Sequence, residues 1–137
     1  MKLLESALLN QLYHDASVSG RLRSHFMLHA SHAEKVQRLL IAMLKGSYVE
    51  PHYHELPHQW EMFILLHGQI RVCLYSVAGE VLHDKIINAH DTLPIIEFLP
   101  GDIHSVECLS DKALLIEMKE GPFDPQNAKV AWKGALQ

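Results

Sequence analysis

Between Gly46 and Gly68 the chain reads Gly46-Ser-Tyr-Val-Glu-Pro-His52-Tyr-His54-Glu-Leu-Pro-His58-Gln-Trp-Glu61-Met-Phe-Ile-Leu-Leu-His-Gly68, and no other stretch limits the fold so sharply. Side chains alternate along a strand, so His52 and His54 project from one face. Glu61 opens the next apolar run, in which Glu61, Phe63 and Leu65 share a face. If the two runs pair as a hairpin, three potential ligands converge from adjacent strands. A second short stretch, Pro100-Gly101-Asp102-Ile103-His104, sets another imidazole just after a tight turn, where it can close the site from a neighbouring strand. Imidazole nitrogens with one carboxylate suit Zn, Fe, Mn, Ni or Cu and leave positions open for water or substrate. A lone His-x-His more often faces solvent. The addition of Glu61, Gly68 and the Pro-Gly-x2-His turn at these spacings makes His52, His54, Glu61 and His104 a metal set.

Taken together, Gly-x5-His-x-His-x6-Glu-x6-Gly and the later Pro-Gly-x2-His resemble the two signature motifs of the cupins, small β-barrels that usually hold one metal ion. The run Tyr48 to Gly68, the Pro-Gly-Asp-Ile-His-Ser turn and Lys119-Glu-Gly-Pro-Phe-Asp-Pro125 are similar to the WbuC-type cupin metalloproteins. Val36-Gln-Arg-Leu39 and the spacing of Arg23, His25 and His29 also fit that family, so the resemblance covers residues 20–125. Two departures stand out. The gap from His54 to Glu61 is longer than the usual three or four residues, and Cys108 occupies a position where cupins often carry Asn. Gly68 keeps its usual distance of seven residues from Glu61, so the extra length falls in the loop Glu55 to Gln59 and leaves the carboxylate facing the histidines.

Along the chain, Leu3, Leu4, Ala7, Leu8 and Leu12 lie at helical spacing and predict a short amphipathic helix over residues 2–13 that covers the barrel. A Ser/Gly segment from Ala16 to Gly20 follows. From Leu22 to Ala30 the residues alternate, with Arg23, His25, Met27 and His29 on one face and Leu22, Phe26 and Leu28 on the other. This is either a solvated edge strand or a strand whose polar face lines the cavity. The family resemblance implies the second, with Arg23, His25 and His29 binding substrate; a guanidinium can grip an acidic group at two points. Val36 to Leu44 reads as a strand buried on both faces. Trp60 to His67 and Gln69 to Ser76 are expected to meet at a tight turn on Gly68. Met62, Ile64 and Leu66 then face away from Glu61 and need a cover, either the strands of residues 22–44 or a second subunit; a homodimer is the expectation. The chain past Gly121, with its prolines, reads as a tail packed on the barrel and anchored by Trp132. The fold class is all-β, a jelly-roll barrel of about nine strands with one N-terminal helix: helix and linker over residues 1–19, barrel over 20–120 and tail over 121–137, in one domain.

Composition bounds the function. At 137 residues, 48% hydrophobic and 20% charged, the chain is ordinary for a globular domain. Its net charge of −4 and the lack of a Lys/Arg cluster argue against nucleic acid. No stretch has the length of a membrane span or a signal-peptide core, and Cys73 and Cys108 give no disulfide framework, so the expected compartment is the cytoplasm. Glu61 and Tyr48 are the candidate catalytic groups, although Tyr48, Tyr53 and Tyr75 serve equally well as packing residues. The cofactor expected is one divalent transition metal ion, Zn, Ni, Fe or Mn. Three activities fit: a metalloenzyme acting on a small polar substrate, a metal-dependent binding or sensing module without turnover, and an iron dioxygenase. For the first, the resemblance implies a sugar or sugar derivative and isomerase- or epimerase-like chemistry.

Overall fold

The strand Val36–Leu44 (β2) decides the layering, because it is apolar on both sides. Leu39, Ile41 and Met43 join the barrel core, while Leu40, Ala42 and Leu44 pack outward against a helix, α1 (Ser6–Val18). The computed structural model describes residues 1–134, so the last three positions of the expected tail lie outside the described residues. The helix begins four residues later than its leucine spacing predicts and continues through Ala16, Ser17 and Val18. Packing explains the shift. Leu12, Tyr13 and Ala16 are the residues buried on β2, whereas Leu3 and Leu4 stay exposed. Burying a leucine such as Leu12 contributes about 1.5–3 kcal/mol, which outweighs the weak helix preference of Ser17 and Val18.

The remaining strands are β1 (Arg23–Met27), β3 (Tyr48–Tyr53), β4 (Glu61–His67), β5 (Gln69–Tyr75), β6 (Val81–Asn88), β7 (Ile95–Phe98), β8 (Ile103–Cys108), β9 (Lys112–Glu120) and β10 (Val130–Ala131). They form two antiparallel sheets, ordered β1-β2-β9-β4-β7 and β10-β3-β8-β5-β6. Facing residues of both sheets, among them Met43, Phe63, Leu65, Ile70, Phe98 and Leu115, make the core of a cupin-type jelly roll. The tenth strand, beyond the nine expected, is the short β10 in the tail, which pairs with β3 at Tyr53 and His52. Trp132 continues that pairing through its N–H to the Pro51 carbonyl (3.0 Å) and stacks on Tyr75, ring centroids 5.7 Å apart.

Two expected hairpins are absent. β3 pairs with β8 and β10, and β4 pairs with β9 and β7, so the His-bearing and Glu-bearing strands belong to opposite sheets. Gly68 likewise does not close a hairpin. A single residue separates β4 from β5, one fewer than the shortest common hairpin loop, and the chain instead turns the corner from one sheet to the other. Gly68 makes that corner at φ 83°, with its α-carbon so close to the Lys112 carbonyl and Ser110 Oγ that a side chain would collide with both. Residues 22–44 extend the first sheet edge-on and do not lie over the outer side of β4, where Met62 and Ile64 are half-buried and Leu66 is exposed.

β3 carries a bulge. Tyr48 pairs with Glu107 and Val49 with Val106, but the next pair is His52 with His104, so Glu50 and Pro51 together oppose Ser105. The extra residue reverses the alternation. Val49 and His52 both face the cavity, and Tyr48 faces out.

Gly68→Ala should destabilise the fold by about 1–3 kcal/mol, the cost of holding an L side chain in a left-handed conformation, with the collision at Lys112 added. A urea-unfolding midpoint equal to that of the unsubstituted chain would contradict this account of the corner.

Candidate metal centre

His52, His54, Glu61 and His104 meet inside the barrel, with one potential ligand atom from each lying within 4.8 Å of all the others. Three different devices place them. His52 and His104 are cross-strand partners in the β3–β8 register. His54 follows β3 and is tied down by the Gly101 N–H, which donates to its carbonyl (2.8 Å) from the Pro-Gly turn. Glu61 arrives from the opposite sheet as the first residue of β4. The turn before His104 is fixed by the Leu99 N–H, which donates to the Asp102 carboxylate at 2.8 Å. Asp102 thus shapes the turn, and Ser105 points off the site's face to the Tyr75 hydroxyl, 2.9 Å away.

The hydrogen bonds of the three rings fix their tautomers. His52 Nδ1 lies 2.9 Å from the Glu50 carbonyl, His54 Nδ1 2.7 Å from the Ala128 carbonyl and His104 Nδ1 2.9 Å from the Asp102 carbonyl. A carbonyl only accepts, so each Nδ1 is the donor and each neutral ring keeps a lone pair at Nε2. Those lone pairs converge on Glu61, whose Oε2 lies 3.2 Å from His54 Nε2 and 3.4 Å from His104 Nε2. Acceptors therefore face acceptors in a buried site, and His104 Nε2 has no hydrogen-bond partner. A proton or a metal cation must answer those acceptors, and three imidazole nitrogens with one carboxylate oxygen suit a divalent transition metal. Outer contacts of the kind that orient metal ligands are already in place. Phe98 adds to them by stacking on the His104 ring, 3.7 Å between centroids and 8° from parallel.

Electrostatics agree with this picture. Burial, and next the neighbouring His104, pushes His52 down to about 4, which keeps it neutral and able to ligate at neutral pH. Burial alone would raise Glu61, but in the metal-free chain hydrogen bonds from His104 and His54, which donate through Nε2 when that nitrogen carries a proton, and from Glu117 hold it well below the usual carboxylate range. Glu117, on β9, is pushed up to about 8 by burial and by the Glu61 charge. Lys119 Nζ lies 2.8 Å from Glu117 Oε1. Neither Glu117 nor Lys119 was a candidate from the sequence. Their signal is a carboxylate and an ammonium at the inward positions of β9, after Ala113 and Leu115.

The other candidates divide. Arg23 and His25 line a cavity of about 220 Å³ that opens from the centre toward solvent, and Arg23 is steadied by donating Nη1–H to the Tyr48 carbonyl (3.1 Å). His25 stands at the open mouth. Partial desolvation, then the charges of Arg21, Arg23, Lys119 and Lys129, push it down to about 4. His29 does not join them. β1 ends at Met27, the alternation stops, and His29 turns to the Arg38 backbone, with Nδ1 2.9 Å from its carbonyl and 3.0 Å from its N–H. It lines a separate space of about 40 Å³ beside Gln37 and His32. Tyr48 is also outside the cavity, because the β3 bulge turns it to the outer face. His58 is half-buried in the loop before β4, and His67 meets the Tyr13 hydroxyl at 3.4 Å on the outer side.

His52 and His25 ionise near 4 in the folded chain and near 6.5 when unfolded. Between those values the two histidines bind more protons in the unfolded state, and below about pH 6 this outweighs the one extra proton that folded Glu117 holds, so the metal-free protein should lose stability as pH falls from about 6 to about 4. Denaturant midpoints that stay flat across this window would contradict the burial of neutral His52.

No curated protein is similar in sequence. Among solved structures, the capsular polysaccharide assembling protein CapF from Staphylococcus aureus superposes with a TM-score of 0.70 at 19% identity, over 83% of this chain and 32% of that one. A recombinant oxalate oxidase in complex with glycolate gives 0.64 at 13% identity, over 84% and 57%. An oxalate decarboxylase from Bacillus subtilis gives 0.57 at 18% identity, over 72% and 24%. The chain thus spans about a third of CapF and little more than half of the oxalate oxidase. At these identities the likeness establishes the fold, and the neighbours are cupins. One family model matches, over residues 4–87 of the 137, and on that match this cupin-fold chain belongs to the family described as Domain of unknown function (DUF6016).

Proposed function

We propose that the chain is a mononuclear metalloenzyme that acts on a small polar substrate, a sugar or sugar derivative, by isomerase- or epimerase-like chemistry. One observation carries the reading: three imidazoles whose Nδ1 protons are committed to carbonyls bring their Nε2 atoms together with a buried carboxylate, all four ligand atoms within 4.8 Å of one another. His52, His54, His104 and Glu61 would hold the ion, with Glu61 as a direct ligand. A divalent ion there supplies Lewis-acid polarisation of a substrate oxygen, or a redox couple in the case of iron or manganese. Phe63, Val106 and Leu115 wall the cavity and exclude water from its floor. Glu117, pushed up to about 8, stands beside the floor as a group that can hold or release a proton near neutrality, the requirement for moving a proton between two positions of a substrate. Arg23 and His25 at the mouth take up the substrate's polar end. The WbuC-type motifs support the carbohydrate assignment, and so does the likeness to CapF, a protein named for capsular polysaccharide assembly. The buried free thiols Cys73 and Cys108 fit a reducing compartment such as the cytoplasm. Among the described residues, no helix is long and apolar enough to cross a membrane.

A dioxygenase reading draws on the fold likeness to an oxalate oxidase. Metal analysis separates the two: iron as the native ion favours the oxygenase, and zinc opposes it.

Protein purified without added metal should contain close to one equivalent per chain by mass spectrometry. His52→Ala and His104→Ala should each lose most of it, and Glu61→Gln should weaken affinity by more than the roughly 10–100-fold that removal of an outer-shell partner costs. Full occupancy in both histidine variants would overturn the ligand set. Metal retained by Glu61→Gln with loss of turnover alone would make Glu61 a base and not a ligand.

We also propose that the outer face of β4 and β7, beside the part of β9 that helix α1 covers, pairs with a second copy of the chain. Met62 opposes Met118 on one side and Glu97 on the other, and Ile64 opposes Ile116 and the exposed Ile95, which leaves an apolar strip bordered by one carboxylate. Light scattering at micromolar concentration should return a dimer, and Ile95→Glu should yield a monomer with unchanged metal content. A monomeric unsubstituted chain would rule the pairing out.

A further inference from the structure

The mouth of the cavity carries charges that metal binding does not use. Arg21 and Arg23 approach it from the β1 side and Lys129 from the tail, with Lys119 deeper on β9. In a chain of net charge −4 with twelve Lys and Arg in all, four meet at one opening. Lys119 is paired with Glu117 at 2.8 Å. Arg21, Arg23 and Lys129 have no carboxylate within ion-pair distance among the described residues. Arg23 is half-buried while Arg21 and Lys129 are exposed, and the like charges repel one another at the shared opening. Burial and then Arg21 lower the pKa of Arg23, and burial and then Arg23 lower that of Lys129. Arg23 spends one N–H on the Tyr48 carbonyl, which anchors the guanidinium and leaves its other donors for a ligand.

We propose that Arg21, Arg23 and Lys129 form an anion-binding collar, which holds a carboxylate or phosphate at one end of a small ligand whose oxygen-bearing other end reaches the His52–His54–Glu61–His104 centre. The inference rests on the metalloenzyme reading and narrows its substrate class to small anions such as acidic sugars or phosphorylated polyols. An acidic group at the mouth cancels the mutual repulsion of the collar and fixes which end of the ligand enters first. The tail supplies Lys129, so it is part of the recognition surface as well as a wall.

Calorimetric titration with inorganic phosphate and with malonate, on metal-loaded and on chelator-treated protein, tests the collar. Both probes should bind metal-loaded protein more tightly than glycerol does, and binding should weaken as sodium chloride rises. The tighter of the two identifies the acidic group. Arg23→Ala and Lys129→Ala should each weaken binding about tenfold with metal content unchanged; Lys129 is exposed, so its variant keeps the test open even if Arg23→Ala folds poorly. Chelator-treated protein should still bind, less tightly, and with the same dependence on Arg23 and Lys129. Anion binding that neither substitution alters, or no anion binding at full metal content, overturns the collar. A chain that takes up no metal yet binds phosphate through Arg23 upholds the collar and defeats the metalloenzyme reading.

Discussion

Three main-chain carbonyls, at Glu50, Ala128 and Asp102, each accept a hydrogen bond from the Nδ1–H of a histidine, and the character of the centre follows from those bonds. Each bond selects one tautomer and one ring orientation, so three lone pairs point inward before any ion arrives. Two of the carbonyls lie two residues before the histidine they orient, so local backbone geometry at the β3 bulge and at the Pro-Gly turn aims the ring directly. The third, Ala128, is 74 residues from His54 and reaches it only because the tail crosses the barrel mouth. The tail therefore takes part in arranging a ligand as well as in closing the cavity. Phe98 presses flat on His104 and removes the remaining freedom of that ring.

A buried carboxylate is costly unless a cation or donors answer it. Glu61 is surrounded by His54, His104 and Glu117, and Glu117 in turn by Lys119. This chain of charges lies on the inward face of β4 and β9, where Glu61 stands directly across from Lys119 and Phe63 across from Glu117. The Glu61 side of the centre is thus built on the regular stretch of the β4–β9 pair, short of its register shift between Leu65 and His67, and its polar groups continue a row that is apolar farther along, at Leu65 and Leu115. Rigid strands below and a polar row above give a site that is preorganised for a divalent ion.

Much of this was legible in the sequence because it is local. His-x-His faces one side by strand geometry, Pro-Gly-x2-His places an imidazole at a strand start, and Glu61 keeps its distance from Gly68; the four residues these rules single out are the four that converge. The jelly roll was legible too, from short alternating runs and the two-faced apolar strand Val36–Leu44. What was not legible depends on strand pairing across the barrel. Sequence neighbours β3 and β4, and likewise β4 and β5, separate into different sheets, a choice made by long-range packing. The bulge at Glu50 and Pro51 reverses the alternation that would have kept Tyr48 beside His52, and the early end of β1 takes His29 away from Arg23 and His25. Glu117 and Lys119 escaped notice because their strand reads as ordinary core until its partner is known to carry Glu61.

The tautomers of the three histidines offer the most direct measurement. Long-range proton–nitrogen correlation spectra of uniformly ¹⁵N-labelled, metal-free protein at neutral pH distinguish a protonated Nδ1 from a protonated Nε2 in each ring. The account predicts that His52, His54 and His104 all carry the proton at Nδ1, and that adding one equivalent of zinc or another diamagnetic divalent ion shifts the three Nε2 resonances together. Finding the proton at Nε2 in any of the three, or Nε2 resonances that do not respond to the ion, would contradict it.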